Sequence, residues 1–461
     1  MFETIRAAMD AVLTNHPWSQ ELAVILPLSA LIDFLDVPRT FHTFQLTRNV
    51  PLWCWSITPS ASRLLLARRK AEDSCYLDHF GASLSPICLD GRYGDLYQMA
   101  SPETLRLYLE TLIVTKIPND HENMQRDEKR FQNLEVIHVS RAKKPSRSRR
   151  SLRFLAADLI GWGFFLCLFT LTALLKFYMA LGFMATLLLS GVAISLVHGG
   201  ERRKFPVERG SKYNRVVVAA LHMNETNWQV FYGESSIVNS VLNRSLPSNN
   251  HSNTMPWLLR PTLRGLILCQ WGFAIGAAAI KGWDAYFITL WIMFCIFSQG
   301  YLFSPEHVVK DWMEAYAGVR MDRYQAQFGS RRALLNTIIA LNPDTFSFDE
   351  ATNEDSTAFY AGAFKWIDPI LREGPDRTQW EEATRLAMIE AKSPPDDTST
   401  LVSENISEPK MDSSARKESK HIEKTKYWHA FIPEGIEMAE KIRQIANLSG
   451  RYVSEKRDEL S

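Results

Sequence analysis

The sequence predicts a mainly α-helical, polytopic membrane protein with four transmembrane helices in two hairpins, helical cytosolic domains and a loop that contains a small β-hairpin. Three observations support this prediction. Two long apolar blocks, 154–198 and 265–303, stand out in a 461-residue chain whose mean hydropathy is only −0.15. Each block is interrupted once near a lysine, and basic residues flank its outer ends. Each half-block approaches the roughly 20 apolar residues that a bilayer span requires.

The charge balance, the cysteine spacing and the motifs argue against several functional classes. The chain has 52 basic and 51 acidic residues, so its net charge of +1 gives no overall attraction to nucleic acid. The six cysteines contain no closely spaced pair of the kind that binds a metal. The sequence motifs of phosphate-binding loops, dinucleotide folds, zinc proteases and serine hydrolases are absent. We therefore assign no catalytic, cofactor-binding or metal-binding residue, and we expect no cofactor and no nucleic-acid partner.

Residues 1–140 are predicted to form a mainly helical cytosolic domain. The stretch SPETLRLYLETLIV has Ser101 as its N-cap, Pro102 at its first helical position and leucines at helical spacing. The apolar run 22–35 is short for a span and contains a proline, so it predicts a buried or interfacial helix. Residues 133–140 have the β-branched composition of a short strand.

A basic juxtamembrane segment, 141–153, precedes the first apolar block. In this position a basic run marks the cytosolic surface of the membrane, where each basic residue near anionic lipid contributes about 1 kcal/mol. We expect the lipid bilayer, including anionic lipid, to be the partner of this cluster. Its residues are Arg141, Lys143, Lys144, Arg147, Arg149, Arg150 and Arg153.

The first block, 154–198, predicts a transmembrane hairpin with a very tight turn near Lys176. Small residues at helical spacing on its second helix predict a face for helix packing, within the bundle or between subunits. Asp158 lies near the start of the first helix and is a candidate functional residue, because ionisable side chains are rare inside membranes. The predicted packing residues are Gly182, Thr186 and Ser190.

The second block, 265–303, repeats this plan. Its turn is the sequence KGWD at 281–284, which contains a second candidate intramembrane acid, Asp284. Gly272 and Gly276 form a GxxxG pair, a pattern that lets two helix backbones approach closely.

The basic flanks also predict an orientation. Because basic loops remain on the cytosolic side, both termini and the loop between the hairpins are expected to face the cytosol. The loop carries three glycosylation sequons, at Asn224, Asn243 and Asn250, and glycans there would invert this orientation. The sequence does not distinguish the endoplasmic reticulum and secretory pathway from the plasma membrane.

The loop 199–264 is more organised than a simple tether. Two apolar, β-branched runs within 213–236 surround a polar turn and predict a β-hairpin, which a short helix follows. Because an isolated hairpin is marginally stable in water, we expect it to pack on another domain, together with a strand from residues 133–140.

The residues after the second hairpin are predicted to form a helical cytosolic domain, 304–392. Its first amphipathic helix is expected to extend through 305–328. Residues 393–426 are rich in Ser, Pro and charged residues, the composition of a disordered linker. Helical periodicity returns in the C-terminal helix, 427–461.

The stretches 213–246 and 334–382 resemble a group of uncharacterised multi-pass fungal integral membrane proteins with the same order of parts. The resemblance covers most of residues 90–390. It implies the architecture given above and a fungal membrane setting. The group has no settled function, so the resemblance assigns no functional residue to this chain.

Three functional hypotheses follow. The first is a membrane scaffold or regulatory protein that acts on an unknown protein partner through its cytosolic domains. The second is a small-molecule transporter or transporter subunit, for which a homo-oligomer is expected because four helices enclose little space. The third is a membrane-bound enzyme with an unrecognised cytosolic site. Recovery of one dominant protein partner would favour the first, and binding of a metabolite to the purified protein would favour the third.

Overall fold

The protein is mostly helical, with a seven-stranded mixed sheet and four helices long and apolar enough to cross a membrane. A computed structural model describes the chain in the following parts: residues 2–29, 37–48, 51–55, 62, 65, 75–80, 84–120, 131–142, 152–198, 202–205, 210–246, 256–349, 354–392 and 426–452.

The α-helices of these parts pack around the sheet or form the apolar bundle. They are α1 (Phe2–Asn15), α2 (Pro17–Ser29), α3 (Val37–Thr47), α4 (Tyr76–Phe80), α5 (Pro102–Leu109), α6 (Leu152–Leu174), α7 (Tyr178–His198), α8 (Ser235–Leu242), α9 (Pro256–Ile280), α10 (Trp283–Phe297), α11 (Pro305–Trp312), α12 (Arg331–Leu341), α13 (Pro375–Lys392) and α14 (Phe431–Ala446).

Seven strands form the main sheet in the order β2-β1-β5-β6-β4-β7-β3, and two more form a separate ribbon. The strands are β1 (Ile87–Asp90), β2 (Leu96–Gln98), β3 (Val114–Ile117), β4 (Gln132–Arg141), β5 (Asn214–Ala220), β6 (Asn227–Glu234), β7 (Val319–Phe328), β8 (Phe346–Asp349) and β9 (Glu354–Phe359).

Three separate parts of the chain build the main sheet. β1 to β4 precede the first apolar pair of helices, β5 and β6 lie between the two pairs, and β7 follows the second pair. The predicted strand at residues 133–140 is present as β4, which pairs in parallel with β6, Val136 lying opposite Val230. β5 and β6 pair antiparallel at the centre of the seven-stranded sheet, so the prediction of a small β-hairpin in this loop is not confirmed as such.

The prediction of one helix through 305–328 is wrong in its second half. Gly318 adopts a left-handed φ of 70°, which ends the helical region, and β7 follows. In β7 buried residues such as Val319 and Met321 alternate with more exposed ones, the period of a strand. β1 to β3 also lie in a region predicted as mainly helical. These short strands pair with residues far along the chain, so local patterns signal them weakly.

Both faces of the sheet are covered by helices. The first face packs against α12, α13 and α14, with Trp228, Trp366 and Trp380 fully buried. The second face packs against α5, α8 and α11, and its core includes Ile137 and Phe231. The sheet and the helices on its two faces form one domain with a hydrophobic core on each face.

The four apolar helices comprise candidate spans of 20 to 23 residues. The spans of α7 and α10 are each 44% buried, whereas those of α6 and α9 are 22% and 28% buried. α7 packs most extensively against α9. Lys176 and Lys281, with φ values of 60° and 56°, form the tight turns that were predicted near these positions.

A short segment of the chain is inserted into this bundle. Trp53, in the 3₁₀ turn Leu52–Cys54, is fully buried against Trp291, Phe294 and Phe303, with ring centroids 5.5 to 6.1 Å apart. The cluster joins this segment to α6, α7 and α10.

Candidate functional site

A cavity of about 560 Å³ lies on the second face of the main sheet. Its floor is formed by β4, β5, β6 and β7, and its wall by α5 together with the residues before β1. A volume of this size is typical of sites that hold a small organic molecule. The described residues that line it include apolar side chains, notably Leu105, Leu109, Met99 and Phe231.

Polar side chains form the floor of the cavity. Arg323 on β7 makes an ion pair with Glu135 on β4 and donates to the carbonyl oxygen of Leu109 at 3.2 Å. Gln229 on β6 donates to the other carboxylate oxygen of Glu135 at 3.0 Å. Three neighbouring strands therefore contribute one residue each to a single hydrogen-bonded group at the base of the cavity.

Two residues of the floor each have a buried polar atom without a hydrogen-bond partner among the described residues. They are Arg323, at its Nε, and Asn133, at its Oδ1. The first is a donor and the second is an acceptor. A buried polar atom without a partner costs about 1–3 kcal/mol.

Successive side chains of a strand point to opposite faces of the sheet, and this alternation explains why the floor of the cavity is polar. In β6, Trp228 and Val230 face the first core, whereas Gln229 and Phe231 line the cavity. The sequence analysis missed this site, because its residues come from four distant parts of the chain. Their signal was polar residues within otherwise β-forming runs.

A second polar cluster lies at the start of α5, and its side chains are buried. His42, Cys75 and Asp78 each bring one potential metal-ligand atom to within 4.8 Å of the others. His42 Nδ1 accepts a hydrogen bond from the Leu77 amide at 3.2 Å, so its Nε2 carries the proton in the neutral ring. That Nε2 lies 2.9 Å from the Thr104 hydroxyl, which donates to Asp78 at 2.7 Å.

This arrangement is a hydrogen-bond chain that holds the start of α5. The Thr104 hydroxyl bridges His42 and Asp78, at the position that a shared metal ion would need. Asp78 also accepts the backbone N–H groups of Glu103 and Thr104 at 3.0 and 3.1 Å, an N-cap supplied from another segment. Arg203 places a positive charge near all three groups, which disfavours a cation.

Burial shifts the pKa values of His42 and Asp78 in opposite directions. It lowers the pKa of His42 from 6.5 to about 3 and raises the pKa of Asp78 from 3.8 to about 6, the latter against its hydrogen bonds to Thr104. The contribution of His42 to stability is thus lost as pH falls from about 6.5 to about 3. The contribution of Asp78 is lost as pH rises from about 3.8 to about 6.

We predict that two variants show opposite pH dependence relative to the wild type. Between pH 4 and 6 the melting temperature of Asp78→Asn should rise relative to the wild type as pH increases, because the variant lacks the buried carboxyl. That of His42→Gln should fall over the same range. For each variant, the free energy of unfolding relative to the wild type changes by at most about 1.4 kcal/mol per pH unit. Thermal unfolding in detergent would measure both, and slopes of the same sign would contradict the assignment.

The predicted packing residues of the first hairpin face α9. A Cβ on Gly182 would lie 2.6 Å from the Phe273 ring. Ser190 accepts a hydrogen bond of 2.8 Å from the buried Gln270, and Thr186 bonds back to its own helix at Gly182. These contacts lie within one chain.

The two glycines of the GxxxG pair on α9 have different surroundings. Gly276 lies against Met179, where a Cβ would be 3.6 Å from the sulfur. Gly272 is exposed, and a Cβ there would meet nothing within 4 Å among the described residues.

The two candidate intramembrane acids accept hydrogen bonds. Asp158 accepts from the indole nitrogen of Trp53 at 3.1 Å. Asp284 accepts from the backbone N–H of Ala180, in the first turn of α7, at 3.0 Å and so ties the two turns together. Both contacts are within the bundle, and neither acid lines the cavity described above.

The basic juxtamembrane cluster is described only at its ends. Arg141 ends β4 and makes a bidentate pair with Glu234, at 2.9 and 2.7 Å. Arg153 begins α6, but its side chain lies outside the described residues. The other five residues lie wholly outside the described part of the chain: Lys143, Lys144, Arg147, Arg149 and Arg150.

No protein-family profile, curated relative or solved structure matches the chain. The class of the protein therefore rests on its own geometry. That class is a membrane protein in which four apolar helices are joined to a domain with a seven-stranded mixed sheet.

Proposed function

We propose that the four apolar helices form two transmembrane hairpins, each of which leaves the sheet domain and returns to it. The support is topological. β4 and β5 flank the pair α6–α7, and both belong to the main sheet. β6 and β7 flank the pair α9–α10 in the same way. Strands of one sheet lie on one side of a membrane, so each pair crosses an even number of times.

We further propose that the sheet domain faces the cytosol. Arg260 and Arg264 precede the apolar part of α9, while Arg202 and Lys204 follow α7 and approach the ring of Tyr316 near the sheet. The turns at the other end of the bundle carry one lysine each. Basic residues concentrate on the cytosolic side of membrane proteins.

The function that the geometry supports best is regulatory: a membrane protein whose cytosolic sheet domain binds a small molecule and acts on a protein partner. The cavity carries this proposal. Its lining combines an apolar wall with a polar floor built by Arg323, Glu135 and Gln229. The ligand would be a small amphiphilic molecule with a polar end.

Binding is favoured over catalysis or transport by the groups that are present. The lining residues supply arginine, carboxylate and amide groups, which hold and orient a polar ligand. The membrane acids Asp158 and Asp284 are engaged by Trp53 and Ala180, contacts that stabilise the bundle. Transport by a homo-oligomer and catalysis at another cytosolic site remain the alternative proposals.

The test is ligand-induced stabilisation of the purified protein. We expect small amphiphilic metabolites with a polar end to raise the melting temperature of the wild type, since a ligand at a hundred times its Kd adds about 2.7 kcal/mol. Gln325→Phe, which fills the cavity from β7, should abolish this increase.

The control for this experiment is Gln327→Phe. Gln327 lies on the same strand and the same face, two residues further on, and is exposed outside the cavity. It should retain the ligand response of the wild type. An equal response in the two variants would show that the ligand binds elsewhere, and no response in the wild type to any compound would contradict a binding function.

A further inference from the structure

The N-terminal helices lie at the turn end of the apolar bundle. Glu3 on α1 pairs with Lys176 in the first turn at 3.1 Å, and Glu21 on α2 pairs with Lys281 in the second turn at 2.9 Å. The hydroxyl of Tyr286, near the start of α10, donates to the carbonyl oxygen of Ser19 at 2.7 Å. Two helix pairs thus contact the first 21 residues at their turns.

The next helix of the chain lies at the opposite end of the bundle. Phe41 and Phe44 on α3 belong to one buried cluster with Ile194, near the end of α7, and Leu263, in the first third of α9. α3 also packs on α11, and the carbonyl oxygen of Leu46 accepts from the Arg203 amide at 3.2 Å. These are contacts with the sheet domain.

The distance between these two positions follows from the lengths of the apolar helices. A helix rises about 1.5 Å per residue, so Lys176 and Ile194 are about 27 Å apart along α7, and Leu263 and Lys281 are also about 27 Å apart along α9. Both helices give the same distance. Between Glu21 and Phe41 the chain passes from one end of the bundle to the other.

We infer that this passage is a fifth membrane crossing, which places α1 on the side of the membrane opposite to the sheet domain and α14. The inference rests on the transmembrane arrangement proposed above. α2 packs against both α9 and α10, and Ala23 is fully buried there. The 20 residues from Glu21 to Phe41 are enough to cross the hydrocarbon core, which is about 30 Å thick.

This inference replaces the expectation that both termini face the cytosol. The sequence analysis judged the run 22–35 too short for a span because it was considered alone. Against α9 and α10, α2 needs only a partly apolar surface, and its charged Glu21 stays at the turn end with Lys281. The charge of α1 agrees with a non-cytosolic position, since Arg6 is its single basic residue.

The partner of α1 on that side is the lipid surface. Met9 and Leu13 pack toward the bundle, and Phe2, Ile5 and Val12 extend the same apolar side beyond it. These three side chains are 41%, 41% and 48% exposed. Because the adjoining turns end the membrane spans, this exposed apolar surface lies at the level of the lipid headgroups, where amphipathic helices bind.

Three single-cysteine additions test the crossing. Asp10→Cys marks α1, Lys176→Cys marks the first turn, and Glu440→Cys marks α14. Sealed vesicles of one orientation would be labelled with a membrane-impermeant maleimide before and after permeabilisation, with the wild type as the blank for its native cysteines. We expect Asp10→Cys and Lys176→Cys to label together, and Glu440→Cys to label only under the opposite condition.

The other outcomes are distinct. If Lys176→Cys labels on the side of Glu440→Cys, the helix pairs do not span the membrane and the proposed arrangement fails. If Lys176→Cys is opposite to Glu440→Cys while Asp10→Cys labels with Glu440→Cys, the hairpins stand and the fifth crossing is wrong.

A second measurement tests the lipid contact of α1. A fluorophore on Val12→Cys should be quenched strongly by nitroxide groups attached to lipid headgroups in reconstituted vesicles. The same fluorophore on Asp10→Cys, an exposed residue of the polar side, should be quenched less. Equal quenching at the two positions would exclude an oriented interfacial helix.

Discussion

Replacing Gly161 with alanine should destabilise the apolar bundle by about 1–3 kcal/mol, the usual cost of overpacking a well-packed core. A Cβ at this position on α6 would lie 1.8 Å from a ring carbon of Trp53. The Trp53 ring has little freedom to move away. It packs on Trp291, Phe294 and Phe303, and its indole N–H donates a hydrogen bond to Asp158.

Gly163→Ala is the matched control for Gly161→Ala. Gly163 is on the same helix two residues later, and a Cβ there meets nothing within 4 Å among the described residues. Since alanine favours helix over glycine by about 1 kcal/mol, this control should be neutral or stabilised. Melting temperatures in detergent, followed by fluorescence-detected size exclusion, would compare the two. Equal melting temperatures would mean that Trp53 does not fill the space beside Gly161.

The apolar helices could be predicted from the sequence because their signal is local. A run of apolar residues around Lys176 or Lys281 identifies two helices and a turn whatever the rest of the chain does. The contacts within the bundle could not be predicted in this way. Trp53 is 105 residues from Asp158, and no pattern in either stretch indicates that they meet.

The sheet and the cavity could be predicted only in part, for the same physical reason. β5 is rich in valine and β6 in aromatic residues, and the two are adjacent in sequence, so the sequence could predict their pairing. β7 has polar residues such as Arg323 and Gln325 on one face, which read as an amphipathic helix, because that face lines a cavity instead of a dry core. The polar residues that line the cavity are therefore the ones that concealed β7.

The site residues proposed from the sequence show the limit of assigning roles by residue type. Small residues and acids in the membrane were the conspicuous ones, yet Asp158 and Asp284 serve as acceptors for Trp53 and Ala180. Charged pairs in the sheet were inconspicuous, since each partner lies far away in the chain. Their energetic importance depends on burial, which the sequence does not give.

Replacing Arg215 with methionine should cost about 3–5 kcal/mol, because it leaves a buried carboxylate without its counter-charge. The side chain of Asp90 is 0% exposed, and Arg215 on β5 binds both of its oxygens. Asp90 also accepts from the backbone N–H of Arg92 at 3.1 Å and so fixes the turn between β1 and β2. Loss of the pair should therefore loosen this edge of the sheet.

A surface pair and a double variant complete this experiment. Arg320→Met breaks the Arg320–Asp322 pair on β7, whose side chains are 63% and 38% exposed, and should cost at most about 1 kcal/mol. Adding Asp90→Asn to Arg215→Met should recover part of the stability, because the amide removes the uncompensated buried charge yet can still accept the turn hydrogen bonds. Denaturant unfolding monitored by tryptophan fluorescence would rank the variants. If Arg215→Met and Arg320→Met were equally stable, burial would not set the strength of the Asp90 pair.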